Sequence, residues 1–111
     1  MIINLAEVTV STWYPVLKKD DVSPGHGVQV PINGKMLAVF NLEGMFYAID
    51  DTCTHAGASL AEGPVAGSVV TCPWHGATFD IVTGAVLSDP AYEGVATYNV
   101  KVEGDDILIE F

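Results

Sequence analysis

Both cysteines of this chain and two of its three histidines are gathered into two short pairs. Cys53 and His55 form a Cys-x-His pair, and Cys72 and His75 form a Cys-x-x-His pair. Sixteen residues separate His55 from Cys72. Thiols and imidazoles are the side chains that bind transition metals, and four of them at chelating spacings indicate a shared metal centre. The fold therefore has to bring these two pairs together.

Zinc is the main alternative for this centre, because zinc knuckles are also built from two short chelating pairs separated by a loop. Here each pair continues into a loop of small residues, CTHAGA and CPWHGA. Gly57 and Gly76 follow the two histidines and predict backbone N–H groups that approach a buried centre. Such donors suit sulfide and thiolate acceptors, and a zinc knuckle rarely needs two matching loops of this kind.

The motifs C-T-H-A-G at 53–57 and C-P-W-H-G at 72–76 resemble the two cluster-binding loops of Rieske 2Fe-2S proteins. The resemblance extends over about residues 13–111. Within this family, the chain resembles the small soluble Rieske ferredoxins that serve bacterial ring-hydroxylating oxygenases. The resemblance further implies that Pro90 lies in a proline-bearing loop that covers the cluster.

The ligand set follows from this resemblance. It implies that Cys53 and Cys72 bind one iron as thiolates, and that His55 and His75 bind the second iron as neutral imidazoles. Two neutral histidines in place of two thiolates make the cluster less negative by two charges. The potential is then expected above that of an all-cysteine ferredoxin, with the electron on the histidine-bound iron.

The rest of the chain predicts short antiparallel strands. Asn33-Gly34 predicts a two-residue hairpin turn between apolar segments, because both positions must tolerate a positive φ. The other segments alternate apolar and polar residues or are bounded by turn residues. The predicted strands cover residues 12–17, 27–32, 35–42, 45–50, 95–102 and 106–111. We therefore expect an all-β fold, an antiparallel β sandwich or barrel.

Residues 51–92 differ from this framework because they are rich in Gly, Pro, Ala and Ser. Within them, residues 68–72 and 77–82 predict strands of a small second sheet. The expected organisation is a single Rieske domain, residues 1–111, with a cluster-binding subdomain at about 51–92 inserted between strands. Residues 1–11 are expected to add an edge strand or to fray.

The chain has four Lys+Arg against fourteen Asp+Glu, a formal charge of −10. This argues against nucleic-acid and anionic-membrane binding and predicts salt-sensitive docking to a basic partner. Asp50 and Asp51, beside the first ligand loop, either help such docking or only end a strand. No apolar run approaches the roughly 20 residues that span a bilayer. The start, MIINLAEVTV, lacks a signal-peptide pattern, so a cytoplasmic location is expected.

At four positions near the predicted cluster, this chain carries different residues from the Rieske proteins of respiratory complexes. Those proteins have a disulfide where this chain has Ala58 and Trp74, and a serine and a tyrosine hydroxyl where it has Ala77 and Phe79. Fewer donors near the cluster stabilise its reduced form less, so we expect a potential of roughly −150 mV, the low end of the Rieske span. Trp74 is expected to shield the cluster, to form a docking surface or simply to pack.

The resemblance implies a one-electron carrier that is not an enzyme alone. It would pass electrons from an NAD(P)H-dependent flavoprotein reductase to a terminal ring-hydroxylating oxygenase acting on an aromatic substrate. Two alternatives stay open. One is the small Rieske-like subunit of an assimilatory nitrite reductase, although many such subunits lack the cluster ligands. The other is a zinc-stabilised interaction module, which would be colourless and redox-inert.

Overall fold

The computed structural model describes residues 12–54, 57–74, 76–89, 91 and 93–111. Nearly all regular structure in these ranges is antiparallel strand, which confirms the all-β prediction. The described helical segments are two single-turn 3-10 helices, Lys19–Asp21 and Leu60–Glu62. None of the described helices is long and apolar enough to span a membrane. The predictions for residues 1–11 and for Pro90 fall outside the described residues.

Ten strands are described, and they form three separate sheets. The strands are β1 Trp13–Lys18, β2 Gly27–Ile32, β3 Lys35–Leu42, β4 Met45–Asp50, β5 Val65–Ala66, β6 Val69–Thr71, β7 Thr78–Asp80, β8 Thr97–Tyr98, β9 Val100–Glu103 and β10 Asp106–Glu110. The first sheet has the order β1-β10-β9, the second β2-β3-β4-β8 and the third β5-β6-β7.

The predicted meander forms the second sheet. Asn33 and Gly34 have φ values of +46° and +81° and connect β2 to β3 in a two-residue hairpin, as predicted. Glu43 and Gly44, at +55° and +89°, connect β3 to β4 in the same way. These two turns fix the register of the three longest neighbouring strands of the sheet.

The second sheet is central, because hydrophobic side chains pack against both of its faces. On β3, Leu37 and Val39 contribute to one buried cluster, together with Ile107 and Ile109 of the first sheet. The alternate residues Ala38 and Phe40 contribute to a second cluster, described below with the ligand loops. A strand with two buried faces is continuously apolar rather than alternating, as MLAVF in β3 is.

Two of the predicted strands that are shorter than expected end at an identifiable contact. The segment 95–102 was predicted as one strand, but it divides at Asn99 into β8 of the second sheet and β9 of the first. The Asn99 side chain donates to the Glu110 carboxylate at 2.9 Å, and the Glu110 N–H donates to the Asn99 carbonyl at 3.0 Å. Asn99 therefore marks the crossing between sheets, which an alternating sequence pattern does not reveal.

The second of these strands is the predicted segment 77–82, of which Thr78–Asp80 is strand. The Asp80 carboxylate accepts the N–H groups of Val82 at 2.8 Å and Thr83 at 3.0 Å. This local side-chain turn competes with continued strand pairing. The small second sheet itself forms as predicted and gains β5 as a third strand.

Candidate metal centre

The two cysteine-bearing loops have the same backbone hydrogen bonds. In the first, the Cys53 N–H donates to the Ala58 carbonyl at 2.9 Å, and the Gly57 N–H donates to the Cys53 carbonyl at 2.9 Å. In the second, the Cys72 N–H donates to Ala77 at 2.7 Å, and the Gly76 N–H to Cys72 at 3.2 Å. The donor and acceptor spacings are identical, so the described parts of the two loops share one hydrogen-bond pattern.

Glycine is required in both loops for its backbone conformation. Gly57 has a φ of +73° and Gly76 a φ of +79°, which L residues with a side chain rarely adopt. The N–H groups of the two glycines donate to the carbonyls of the cysteines in the same loops. The glycines therefore close the loops and place each cysteine at the same point of its turn.

Both cysteines are buried in one hydrophobic cluster. Cys53 is 2% exposed and Cys72 1% exposed, and the same cluster contains the loop residues Ala58 and Ala77. Each cysteine directly follows a position that pairs across the base of its loop: Thr52 bridges Ser59, and Thr71 pairs with Thr78. The fold thus brings the two predicted cysteines from separate loops into a common buried environment.

His55 and His75, the other two predicted ligands, lie outside the described residues. Within the described part of the chain, no group of three or more His, Cys, Asp and Glu side chains is arranged to hold a metal ion. The two cysteines on their own still show whether the side chains at this site suit an iron–sulfur cluster. Two buried cysteines at matched positions of two loops fit a group that takes one thiolate from each loop.

Two of the positions that distinguish this chain from respiratory Rieske proteins, Ala77 and Phe79, are also buried. Ala77 and Phe79 are both 0% exposed and belong to the cluster that contains the cysteines. Methyl and phenyl groups cannot donate hydrogen bonds to sulfur. The environment of the cysteines therefore lacks a hydroxyl donor at either position.

The segment around residues 87–93 is attached to both loops. The Thr54 hydroxyl of the first loop donates to the Glu93 carbonyl at 2.7 Å. Beside the second loop, the Thr78 N–H donates to the Ser88 hydroxyl at 3.2 Å, and the two hydroxyls lie 2.6 Å apart. Sequence reasoning missed these three contacts, because threonine and serine in a loop carry no signal of a specific distant partner.

Trp74 lies in the second loop between Cys72 and the predicted ligand at 75. It is 63% exposed, one of the most exposed large hydrophobic side chains among the described residues. Simple packing in the interior, one of the three readings of this residue, is therefore wrong. An exposed tryptophan beside a functional loop is typical of a contact surface for another protein.

Asp50 and Asp51, the predicted acidic pair, have different environments. Asp51 is 2% exposed, so the docking interpretation is wrong for this residue. Asp50 is half-buried and forms an ion pair with Lys35 at 2.9 Å and a hydrogen bond from Tyr98 at 2.7 Å. Their environments differ because consecutive residues at a strand end face opposite sides of the sheet.

The Lys35–Asp50–Tyr98 group has perturbed acid–base properties. Hydrogen bonds with Tyr98 and Asp50 raise the pKa of Lys35 to about 12. Burial on its own would raise the pKa of Asp50, but hydrogen bonds from Tyr98, Lys35 and the Ala96 N–H outweigh it and hold that pKa below its ordinary value. All three side chains are satisfied within the group, which indicates a structural role.

The chain segment that contains the two loops carries no positive side chain other than its histidines. The sequence from residue 51 to 94 has no lysine or arginine, whereas five of the fourteen acidic residues lie there. Glu62, Asp89 and Glu93 of this segment are exposed. This segment therefore contributes acidic side chains to the surface.

The sequence profile of the Rieske 2Fe-2S domain matches residues 12–99. The chain belongs to the Rieske domain family. Its cofactor is accordingly one Rieske-type 2Fe-2S cluster, in agreement with the two matched cysteine loops. The expected fold and family are thereby confirmed.

Relatives and solved structures with this fold include ferredoxins of oxygenase systems. The biphenyl dioxygenase ferredoxin subunit of Pseudomonas sp. (strain KKS102) is 41% identical over 101 residues, which cover 90% of this chain and 93% of that protein. A solved complex of reduced oxygenase and oxidised ferredoxin in carbazole 1,9a-dioxygenase contains a chain that matches with a TM-score of 0.82 and 37% identity, covering 87% of this chain and 91% of that one.

The fold is also shared with nitrite reductase subunits. A structure described as the small subunit of an NADH-dependent nitrite reductase from Mycobacterium tuberculosis matches with a TM-score of 0.83. Its sequence identity is 26%, with coverage of 93% of this chain and 97% of that chain. Fold similarity alone therefore does not separate the two functions, whereas identity favours the ferredoxins.

Proposed function

We propose that this protein is the Rieske ferredoxin of a multicomponent oxygenase system and carries single electrons to a terminal ring-hydroxylating oxygenase. The observation that carries the proposal is the pair of matched loops, each with a buried cysteine, in a chain 41% identical to a dioxygenase ferredoxin subunit. The protein would be an electron-transfer component and not an enzyme on its own. We propose the cytoplasm as its location, where NAD(P)H-dependent reductases have their reductant.

The proposed ligands are Cys53 and Cys72 for one iron and His55 and His75 for the other. The equivalent positions of the two cysteines in their loops support this assignment for the thiolates. The assignment of the histidines rests on the sequence motifs, C-T-H and C-P-W-H. We further propose that one domain, residues 1–111, contains a cluster-binding subdomain at about 51–92, with β5, β6 and β7 as its sheet.

When bound, the cluster supplies reversible one-electron chemistry. The chain's own residues bury the two cysteines and place no hydroxyl at residues 77 and 79. Because Ala77 and Phe79 offer no hydroxyl, less hydrogen bonding stabilises the added negative charge of the reduced state. We therefore propose a potential near the low end of the Rieske range, roughly −150 mV. Such a potential suits transfer from a flavoprotein to an oxygenase.

The proposed partners are the terminal oxygenase, which accepts the electron, and an NAD(P)H-dependent flavoprotein reductase, which supplies it. The carbazole dioxygenase complex supports the first, because a similar ferredoxin is bound there to its oxygenase. Exposed Trp74 and the cation-free segment 51–94 support transient docking to an apolar patch with a basic rim. We propose neither nucleic-acid nor membrane binding, since both favour basic surfaces.

Reconstitution of electron transfer tests this function against the nitrite reductase alternative. Purified protein, reduced by a ferredoxin reductase of an aromatic dioxygenase system, should pass electrons to the cognate oxygenase and support product formation. The control is Cys72→Ser, which should abolish transfer. Reduction by a nitrite reductase large subunit, with no reduction by any ferredoxin reductase, would support the alternative. A colourless, redox-inert protein with bound zinc would support the interaction module.

A further inference from the structure

The bases of the two ligand loops are closed in different ways. Below the second loop, β6 and β7 continue as a regular ladder, in which Val70 pairs with Phe79. Below the first loop, the bridge between Thr52 and Ser59 is the last described pair, and the chain then turns into a 3-10 helix. The first loop therefore lacks the ladder that holds the second one closed.

Asp51 occupies the place in the first loop that Val70 occupies in the second, two residues before the cysteine. Its backbone N–H donates to the Met36 carbonyl of β3 at 3.1 Å, and its carbonyl accepts the Leu60 N–H at 2.7 Å. The first bond attaches the loop to the central sheet. The second closes the loop base at the position that corresponds to the Val70–Phe79 pair.

The Asp51 side chain adds three further bonds at this base. One carboxylate oxygen accepts the Ser59 hydroxyl and the Ala61 N–H, both at 2.9 Å. The other accepts the Gln29 side-chain amide of β2 at 2.6 Å. Gln29 also donates to the Ser59 hydroxyl at 3.0 Å. The carboxylate thus connects the outgoing side of the loop to the central sheet.

The Asp51 carboxylate is buried among donors. The residue is 2% exposed, and the three groups at its oxygens are all donors. The nearby Lys35 is paired with Asp50 instead. A buried charge with neutral partners keeps a longer-range electrostatic effect than one paired at the surface.

We propose that Asp51 is a positioning residue of the cluster site, whose carboxylate holds the first ligand loop closed and whose buried charge lowers the reduction potential. This inference rests on the proposed function. A fixed negative charge near the cluster opposes the arrival of an electron. The same carboxylate replaces, for the first loop, the strand ladder that supports the second.

Three variants separate the charge from the hydrogen bonds. Asp51→Asn removes the charge and replaces one acceptor oxygen by a donor that faces Gln29. Ser59→Ala removes one of the three donors and keeps the charge. Asp50→Asn is the matched control, because it neutralises the adjacent carboxylate, which is half-buried and paired with Lys35. Each is purified with its cluster, titrated potentiometrically and challenged with an iron chelator.

The expected pattern differs among the three variants. Asp51→Asn should shift the potential upward by more than Asp50→Asn does and should lose iron to the chelator several-fold faster than wild type. Ser59→Ala should lose iron faster without any upward shift of the potential. If Asp51→Asn shifts the potential no more than Asp50→Asn, the charge effect is wrong. Wild-type rates of iron loss in both Asp51→Asn and Ser59→Ala would overturn the positioning role.

If Asp51→Asn does not fold, Ser59→Ala alone tests the proposal. Iron loss from Ser59→Ala at the same rate as from wild type would then overturn it. Failure of the proposed function is distinguishable from all of these results. It would be seen in the wild-type protein, as the absence of electron transfer from a ferredoxin reductase to the oxygenase. A normal wild-type cluster with unaffected variants would refute only the role of Asp51.

Discussion

A hydroxyl introduced at residue 77 should raise the reduction potential. Ala77 is 0% exposed, its carbonyl accepts the Cys72 N–H at 2.7 Å, and its methyl group lies in the cluster of side chains that contains both cysteines. In Ala77→Ser the new hydroxyl is buried beside the proposed site. A donor there stabilises the reduced, more negative state more than the oxidised one.

The size of the shift follows from the energy of a buried hydrogen bond to a charged acceptor. Such a bond contributes about 1.5–3 kcal/mol. If half of it is specific to the reduced state, the differential stabilisation is about 1 kcal/mol, which for one electron corresponds to about 45 mV. Ala77→Ser should therefore titrate above wild type by roughly this amount. Phe79→Tyr should shift the potential in the same direction.

The assay is potentiometric titration followed by EPR, with Ala48→Ser as the matched control. Ala48 is 2% exposed but belongs to the other hydrophobic cluster, on the opposite face of the central sheet. Its serine should reduce the free energy of unfolding by about 1–3 kcal/mol because the hydroxyl is buried, with no change in potential. An unchanged potential in Ala77→Ser, in a protein with an intact cluster, would refute the reasoning on donors at this site.

Three other predictions concern stability, the segment around residues 87–93 and docking. Tyr98→Phe keeps the ring stacked on Phe111 but removes the donor to Asp50, and urea unfolding should show a loss of about 1 kcal/mol at neutral pH. Because the pKa of Asp50 is lowered by folding, this difference should be largest above its ordinary value of 3.8 and should decrease as the pH falls through the lowered pKa of the folded protein; a constant difference would contradict the assignment. Thr54→Val and Ser88→Ala each remove an attachment of the segment and should speed iron loss to a chelator, whereas Thr83→Val, in the turn after β7, should not. The rate of electron transfer to the oxygenase should fall steeply between low and high ionic strength, and a salt-independent rate would contradict docking by the acidic surface. Trp74→Ala should lower this rate without changing the reduction potential.

The sequence predicted the elements whose signals are local. Asn33-Gly34 identified the hairpin, because a positive φ at two successive positions leaves few alternatives, and the small-residue motifs identified both ligand loops. Pro15 fits the position of β1 at the edge of the first sheet, because proline has no N–H to donate to a neighbouring strand. The register of the meander then followed from the turns.

The features that sequence reasoning missed depend on contacts between distant residues. The break at Asn99 is made by its bonds with Glu110, and the opposite environments of Asp50 and Asp51 depend on which face of the sheet each one meets. The motifs also did not reveal that the Gly57 and Gly76 N–H groups close the two loops by donating to the cysteine carbonyls. Glycine predicts a conformation at its own position but does not identify the acceptor of its N–H.

The most direct test of the account is the EPR spectrum of the purified protein before and after reduction with dithionite, with iron and zinc measured on the same sample. The account predicts a rhombic signal that appears only on reduction, with an average g value below that of the free electron and about two iron atoms per chain. Stoichiometric zinc and no signal in either state, in protein reconstituted with iron and sulfide, would contradict it.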